Sequence, residues 1–270
     1  MAATGADPMT TQNDRPQRAG IRREPPLFCE VHVLGTRAIT PRMVRVSLSG
    51  DDLAGLTVDE PASSVRLLLP DIVRRRLIIP IWNGNRFVFD DGTTPIIRTM
   101  TPVNFDAAAT RMDLDIVVHR GGAASSWAQS CRPGDEAAIS GTARGYAIDS
   151  RAPAYVLAGD ETALPAIIQI VAGVPAGIPV VALIEAADGA ARTDFASRPD
   201  LAVRWVVVPP GAVPGAALLP ALSDVDMPVG CKVWAAGEAG AMHRVRRHLT
   251  DKRGLDRADF TVRGYWKHGR

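Results

Sequence analysis

The stretch "YVLAGDETALPAI", residues 155–167, decides the fold. Four apolar or aromatic residues run into Gly159, two acids and a threonine follow, and a helix-forming segment containing Pro165 opens at once. An apolar strand that ends on glycine and passes directly into a helix is the repeating unit of an open parallel sheet, in which ligands bind beyond the carboxyl ends of the strands. "WAAGEAGAM", residues 234–242, repeats the arrangement with Gly237, Glu238 and Ala239. Two such junctions in one sheet bring Gly159 and Gly237 to the same edge. A glycine there lets a ligand approach the backbone, and a helix N-terminus offers amides to a phosphate. The alternative is that Asp160, Glu161 and Thr162 simply cap the helix. One glycine is weaker than a full dinucleotide fingerprint.

Working outward, "AYVLAGD", "PVVALIEAAD", "LAVRWVVVP" and "CKVWAAGE" are near-continuous apolar runs, which predicts strands buried on both faces. "ETALPAIIQIVAG" reads as a helix between them. "EAGAMHRVRRHL" places Met242, Val245 and Leu249 on one helical face, with His243, Arg244 and Arg247 off that stripe. Before "SRAPA", residues 150–154, the pattern differs. "CEVHVLGTRAIT", "MVRVSLSG", "SVRLLLP", "RFVFDDG" and "MDLDIVVHR" are short β-branched runs parted by Gly, Pro and Asp, and their alternation predicts a small barrel or sandwich. The expected organisation is a disordered lead-in over residues 1–25, a β domain over 26–150 and a parallel-sheet α/β domain with a C-terminal extension over 151–270.

A chain of 270 residues suits two compact domains, and 46% hydrophobic with 22% charged residues is ordinary for a soluble protein. No run approaches the ~20 apolar residues that span a bilayer, and the N-terminus lacks the apolar core of a signal peptide, so a cytoplasmic protein without membrane insertion is expected. Cys29, Cys131 and Cys231 are far apart and without metal-ligand spacing; free thiols and no metal site are expected. A net charge of +2 excludes a general nucleic-acid binder. From residue 243 to the end, however, nine Lys/Arg stand against three Asp. Such an end faces either an anionic partner or solvent. A monomer is the default expectation.

Two further stretches could carry chemistry. In "VVHRGGAASSWAQSC", residues 117–131, a strand ends at His119, a glycine pair follows, and small residues start a short helix with Ser125 in its first turn, which suits a diphosphate. "RTMTP", residues 98–102, sets Arg98, Thr99 and Thr101 in a strand beside that loop, a permanent cation and hydroxyl hydrogen-bonders. The bland reading of this stretch is an outward-facing edge strand.

These stretches, with "GYWKHGR" at the C-terminus, occur in the order found in the siderophore-interacting protein family, which the chain resembles from about residue 28 to its end. That family comprises flavin-dependent ferric-siderophore reductases related to ferredoxin–NADP reductases. The resemblance implies an N-terminal antiparallel Greek-key β-barrel that binds FAD, followed by an α/β domain that binds NADPH or NADH. It implies that Arg98 contacts the FAD phosphate with Thr99 beside it, that Met100 holds the position of the aromatic that stacks on the isoalloxazine, and that Thr101 lies near the reactive ring nitrogen. No other catalytic residue is assigned. His119 would contact the flavin, and Gly122, Ala123, Ala124 and Ser125 the diphosphate. Gly159 to Thr162 (including Asp160 and Glu161) and Gly237, Glu238 and Ala239 would line the nicotinamide-nucleotide crevice. Trp266, with Tyr265, would close the flavin side, and Arg263, Lys267, His268 and Arg270 would face an anionic ferric siderophore.

Two departures stand out. Met100 replaces a tyrosine, and "TPVNFD" lacks an arginine usual after the motif. The implied function is reduction of a ferric siderophore to release Fe2+, with electrons passing from NAD(P)H, or alternatively from reduced ferredoxin, through FAD. The departures keep open a flavin reductase acting on another acceptor, and a siderophore- or nucleotide-binding protein with little flavin redox activity.

Overall fold

The computed structural model describes residues 27–269 except positions 72, 75, 144 and 196. The lead-in expected over residues 1–25 and the C-terminal Arg270 lie outside the described residues.

The first half supplies strands β1 (Phe28–Thr40), β2 (Met43–Ser49), β3 (Ser64–Leu68), β4 (Ile81–Trp82), β5 (Phe87–Val88), β6 (Ile97–Met100), β7 (Pro102–Asp106) and β8 (Arg111–Val117), then helix α1 (Ala123–Ser130) and strand β9 (Glu136–Ala143). β4 and β5 form a separate hairpin; the others make one seven-stranded sheet in the order β6-β3-β9-β1-β2-β8-β7. Its paired strands are antiparallel. β6 and β7 stand at opposite ends of that order, yet Thr101 alone separates them in the chain. Two peptide units span at most about 8 Å, so the two ends must meet and the sheet rolls into a barrel. The return of β9 beside β1 after a long excursion is the Greek-key connection. Alternation supplies the core: in β8, Met112, Leu114 and Ile116 are buried between outward residues, and they meet Val46, Leu67 and Ile139 inside.

The second half runs β10 (Tyr155–Asp160), α2 (Leu164–Gly173), β11 (Val180–Ala186), β12 (Leu201–Val207), α3 (Leu218–Ser223), β13 (Lys232–Glu238), α4 (Ala239–Arg247) and β14 (Phe260–Trp266). The sheet is parallel, in the order β12-β11-β10-β13-β14. The strand order reverses between β10 and β13, so both strand–glycine–acid junctions open on the crevice at that switch point.

The fold class follows the sequence reading, with four local differences. Residues 161–163 form a 3-10 turn, and the helix proper begins at Leu164. β11 passes to β12 with a single 3-10 turn in place of a helix. β12, read as buried on both faces, is an edge strand whose residues are half-buried or exposed, because nothing pairs its outer side. Within the C-terminal extension, "FTVRGYW" adds an edge strand, β14, to the parallel sheet.

The two halves share a core. Met43 of the barrel and Ala62 sit in one buried cluster with Leu164, Ile167 and Trp234 of the second half. Polar contacts reinforce it. The Gln169 side chain accepts from the Ala62 amide at 2.9 Å and donates to the Pro102 carbonyl. Arg42 Nε donates to both carboxylate oxygens of Glu161, at 2.9 and 3.1 Å. Glu161 is buried, and the further Ala187 amide lies 3.4 Å from its Oε2. Arg42→Ala therefore strands a buried charge. It should cost about 3 kcal/mol, the low end of the range for removing one partner of a buried pair. Urea unfolding followed by fluorescence and circular dichroism checks this, with coincident transitions expected for the two halves.

Candidate functional site

At the crevice, the side chains of the first junction are engaged with the protein itself. Asp160 Oδ1 accepts from the Thr162 amide at 2.9 Å and from the Thr162 hydroxyl at 2.5 Å. Its Oδ2 accepts from the Glu238 amide at 2.9 Å and from the Trp266 indole at 2.8 Å. Burial pushes the Asp160 carboxyl above the usual carboxylate range, against the pull of those four donors. Gly159 is glycine for packing: a Cβ there would lie 2.5 Å from the Ala163 Cβ and 2.5 Å from the Ala236 carbonyl oxygen. The space expected for a ligand is filled by the turn that leads into α2.

The second junction is built the same way. Glu238 caps α4, Oε2 accepting from the Ala241 amide at 2.7 Å and Oε1 from the His268 amide at 3.2 Å. Burial opposes its charge, but these amides and Arg244 outweigh that and hold its carboxyl below the usual range. Ala239 and Gly240 remain exposed at the start of the helix. What faces the crevice is backbone, with the aromatic ring of Trp266, 37% exposed, beside it.

On the barrel side, Ser125 closes the loop after β8. Its hydroxyl accepts from the His119 amide at 2.9 Å and donates to the His119 carbonyl at 2.8 Å, and the residue is buried. The hydroxyl is thus unavailable to a ligand, whereas the first amides of α1, at Ala123 and Ala124, have no carbonyl within the helix to bond. Gly122 leaves room for His119, since a Cβ there would collide with the imidazole. Along the barrel seam Arg98 is exposed and donates to its neighbour's carbonyl, Ile97, at 2.9 Å. Thr99 is exposed and Thr101 buried; Met100 is half-buried and packs on the barrel core.

β14 connects the two sides. Burial pushes the Tyr265 hydroxyl upward in pKa, and the neighbouring Arg263 charge and Thr101 side chain oppose that shift. Arg263, expected to face the substrate, is half-buried and donates to the Gly145 carbonyl at 2.9 Å. Lys267 and His268 are exposed; Arg270 lies outside the described residues. Three further arginines of the basic end serve carbonyls. Arg244 donates to Pro214 at 2.5 Å, Arg246 to Val262 at 2.6 Å, and Arg253 to Ser223 and Val225 at 2.6 and 2.8 Å. Sequence reasoning missed the Tyr265–Thr101 and Arg42–Glu161 contacts, because both join residues far apart in the chain.

A cation and helix-start amides for a diphosphate, and a hydroxyl and an aromatic wall at the seam, fit a flavin dinucleotide between barrel and sheet. A barrel with these features, packed on a parallel sheet whose switch-point crevice opens beside it, defines the ferredoxin-reductase class of fold. The ferredoxin reductase of carbazole 1,9a-dioxygenase shares that fold at a TM-score of 0.62 and 13% identity, over 90% of this chain and 70% of that one.

Within that class the chain belongs to the siderophore-interacting protein family. The family's siderophore-interacting FAD-binding domain matches residues 32–145, and its siderophore-interacting protein domain matches residues 152–269. A siderophore utilization protein from T. fusca is 37% identical, with a TM-score of 0.80 over 92% of this chain and 95% of that one. The mycobactin import ATP-binding/permease protein IrtA of Mycolicibacterium smegmatis is 32% identical over 88% of this chain, which spans 26% of that longer protein. The ferric vibriobactin reductase ViuB of Vibrio cholerae is 25% identical over 86% of each chain.

Ser125→Ala removes the acceptor of the His119 amide inside a closed loop. The flavin-free protein should lose about 1–3 kcal/mol, the cost of an unpaired buried polar group, measured by thermal or urea unfolding.

Proposed function

We propose that the protein is a flavin-dependent reductase of ferric siderophores that draws electrons from NAD(P)H. One observation carries this reading. The last two residues of β14 reach both sides of the cleft, Tyr265 to Thr101 at the barrel seam and Trp266 to Asp160 at the crevice. A flavin at the seam and a nicotinamide in the crevice would therefore share one wall.

In this mechanism FAD, when bound, supplies the conversion of a two-electron donor into single electrons. The protein binds and orients. Arg98 and the amides of Ala123 and Ala124 hold the diphosphate, and Gly122 keeps His119 folded against the loop. Thr101, beside Tyr265, would offer its hydroxyl to the flavin. Residues 159–162 and 237–239 form the crevice through their backbone and fixed caps. The exposed Lys267 and His268 attract an anionic ferric siderophore, whose own oxygens hold the iron.

We favour NADPH as donor. Near the end of β11 both Glu185 and Asp188 would oppose a 2′-phosphate; Glu185 is turned inward, accepting from the amides of Gly215 at 2.5 Å, Ala217 at 3.0 Å and Leu218 at 2.8 Å, while Asp188 stays exposed and accepts from the Ala190 amide at 2.8 Å. Arg192 nearby is exposed. Reduced ferredoxin remains the alternative donor to assay.

A second reading, a siderophore- or nucleotide-binding protein with weak flavin chemistry, is favoured by Met100. Its side chain rests on the barrel core and offers no planar ring. The absorbance spectrum of the purified protein with added FAD separates the two. Flavin bands that travel with the protein, and faster turnover of ferric siderophores than of simple ferric chelates, are expected. In Arg98→Ala the FAD affinity should fall roughly ten- to a hundredfold, the weight of one hydrogen bond to a charged group. A protein that stays colourless in excess FAD would hand the case to the second reading.

A further inference from the structure

Asp160 holds together three strand ends. Its Oδ1 caps its own turn through Thr162, while Oδ2 takes the Glu238 amide at the end of β13 and the Trp266 indole at the end of β14. Gly237 makes the space, since a Cβ there would lie 2.5 Å from that same Oδ2. The β13–β14 register slips between Gly237 and Glu238, so that Glu238 pairs with Trp266 and the indole N–H meets the carboxylate. β14 is an edge strand, and the Trp266 ring keeps 37% of its surface exposed. The ring makes an edge-on contact with the exposed His268, centroids 6.3 Å apart, and its donor-only N–H meets a group that can only accept when ionised.

We propose that Asp160 is a positioning residue: its carboxylate fixes the Trp266 ring as the wall between the crevice and the barrel seam. Its consequence for turnover rests on the reductase reading above; the tie itself does not. A carboxylate suits the place because all four incoming groups can donate and three of them, two amides and an indole, can do nothing else. Asparagine offers a near-substitute. Its oxygen can turn to the Glu238 amide and the indole while the Thr162 hydroxyl reverses to accept from its NH2 group, leaving the Thr162 amide as the unpaired member.

The test uses the full-length protein labelled with 15N, and reads the indole N–H resonances. Trp266→Phe identifies the Trp266 signal by its loss. In the unaltered chain that N–H should exchange with water slowly for so exposed a ring; an unprotected indole would overturn the proposal, whether or not any variant folds. In Asp160→Ala its exchange should rise about tenfold or more, the weight of one hydrogen bond to a charged group, and Asp160→Asn should restore most of the protection. A Trp266 signal unmoved in Asp160→Ala, with only the melting temperature lowered, would reduce Asp160 to a helix cap and sink the idea.

Kinetics with saturating FAD supply a second arm. Asp160→Ala and Trp266→Phe should change the KM for NADPH by the same factor, and the double variant should show no further change; independent, multiplying effects would count against a role exerted through Trp266. If the unaltered protein turns over neither NADPH nor NADH, the NAD(P)H-donor reading fails by itself and the indole measurement still decides the role of Asp160.

Discussion

One residue, Thr101, joins the two strands that stand at opposite ends of the barrel sheet. That constraint organises the rest. The sheet has to curl until its ends meet, and they meet where β6, which carries Arg98, passes through Thr101 into β7. Thr101 is buried because it sits at this seam, and Pro102 immediately after it offers its carbonyl to Gln169 of α2. Closure of the barrel and docking of the second half are thus decided within two consecutive residues. The seam faces the parallel sheet, and β14 reaches across to it through Tyr265.

The acids of the α/β half follow one rule. Asp160, Glu161, Glu185 and Glu238 each end a strand or begin a turn at the carboxyl edge of the sheet, the usual place for ligand contacts. Each is instead surrounded by donors of this chain: an indole and amides, a guanidinium, three loop amides, two capped amides. A carboxylate withdrawn from water is tolerated when its lone pairs are met. These four are met, and the edge of the sheet is held as a set of fixed loops. The edge then exposes backbone and the Trp266 ring in place of these four carboxylates.

This explains what could be read from the sequence and what could not. Strands β10, β11 and β13 were legible because burial on both faces leaves a continuous apolar run, and α1 was legible from small residues after a glycine pair. β14 was not, although Thr261, Val262 and the aromatic pair Tyr265 and Trp266 carry strand propensity; the basic residues around them draw the eye to charge. β12 misled in the other direction, since "LAVRWVVVP" is as apolar as its neighbours while its place at the edge is a matter of pairing. The site residues were legible as positions and not as roles. Nothing local in "GDET" shows that Glu161 meets an arginine in the β1–β2 turn, more than a hundred positions earlier. A count of positive charge cannot show that Arg244, Arg246 and Arg253 serve carbonyls of their own domain.

The two departures in the seam motif differ in weight. A methionine against a ring contributes about 0.3–1.5 kcal/mol, close to the ~0.5–1.5 kcal/mol of an aromatic pair. That comparison assumes a side chain free to meet the ring, and Met100 already rests on the barrel core and is half-buried there. What it lacks is geometry more than energy, since a planar ring can lie flat on a flavin and a thioether cannot. The missing arginine costs more, roughly 1.5–3 kcal/mol for a hydrogen bond to a charged group. Arg66 on β3, exposed and paired across the sheet with Thr99, is the nearest cation that the register places beside the motif. It stands on the face opposite to Arg98, as adjacent positions of a strand must. On the proposed reading, flavin affinity would rest chiefly on Arg98 and the amides that open α1.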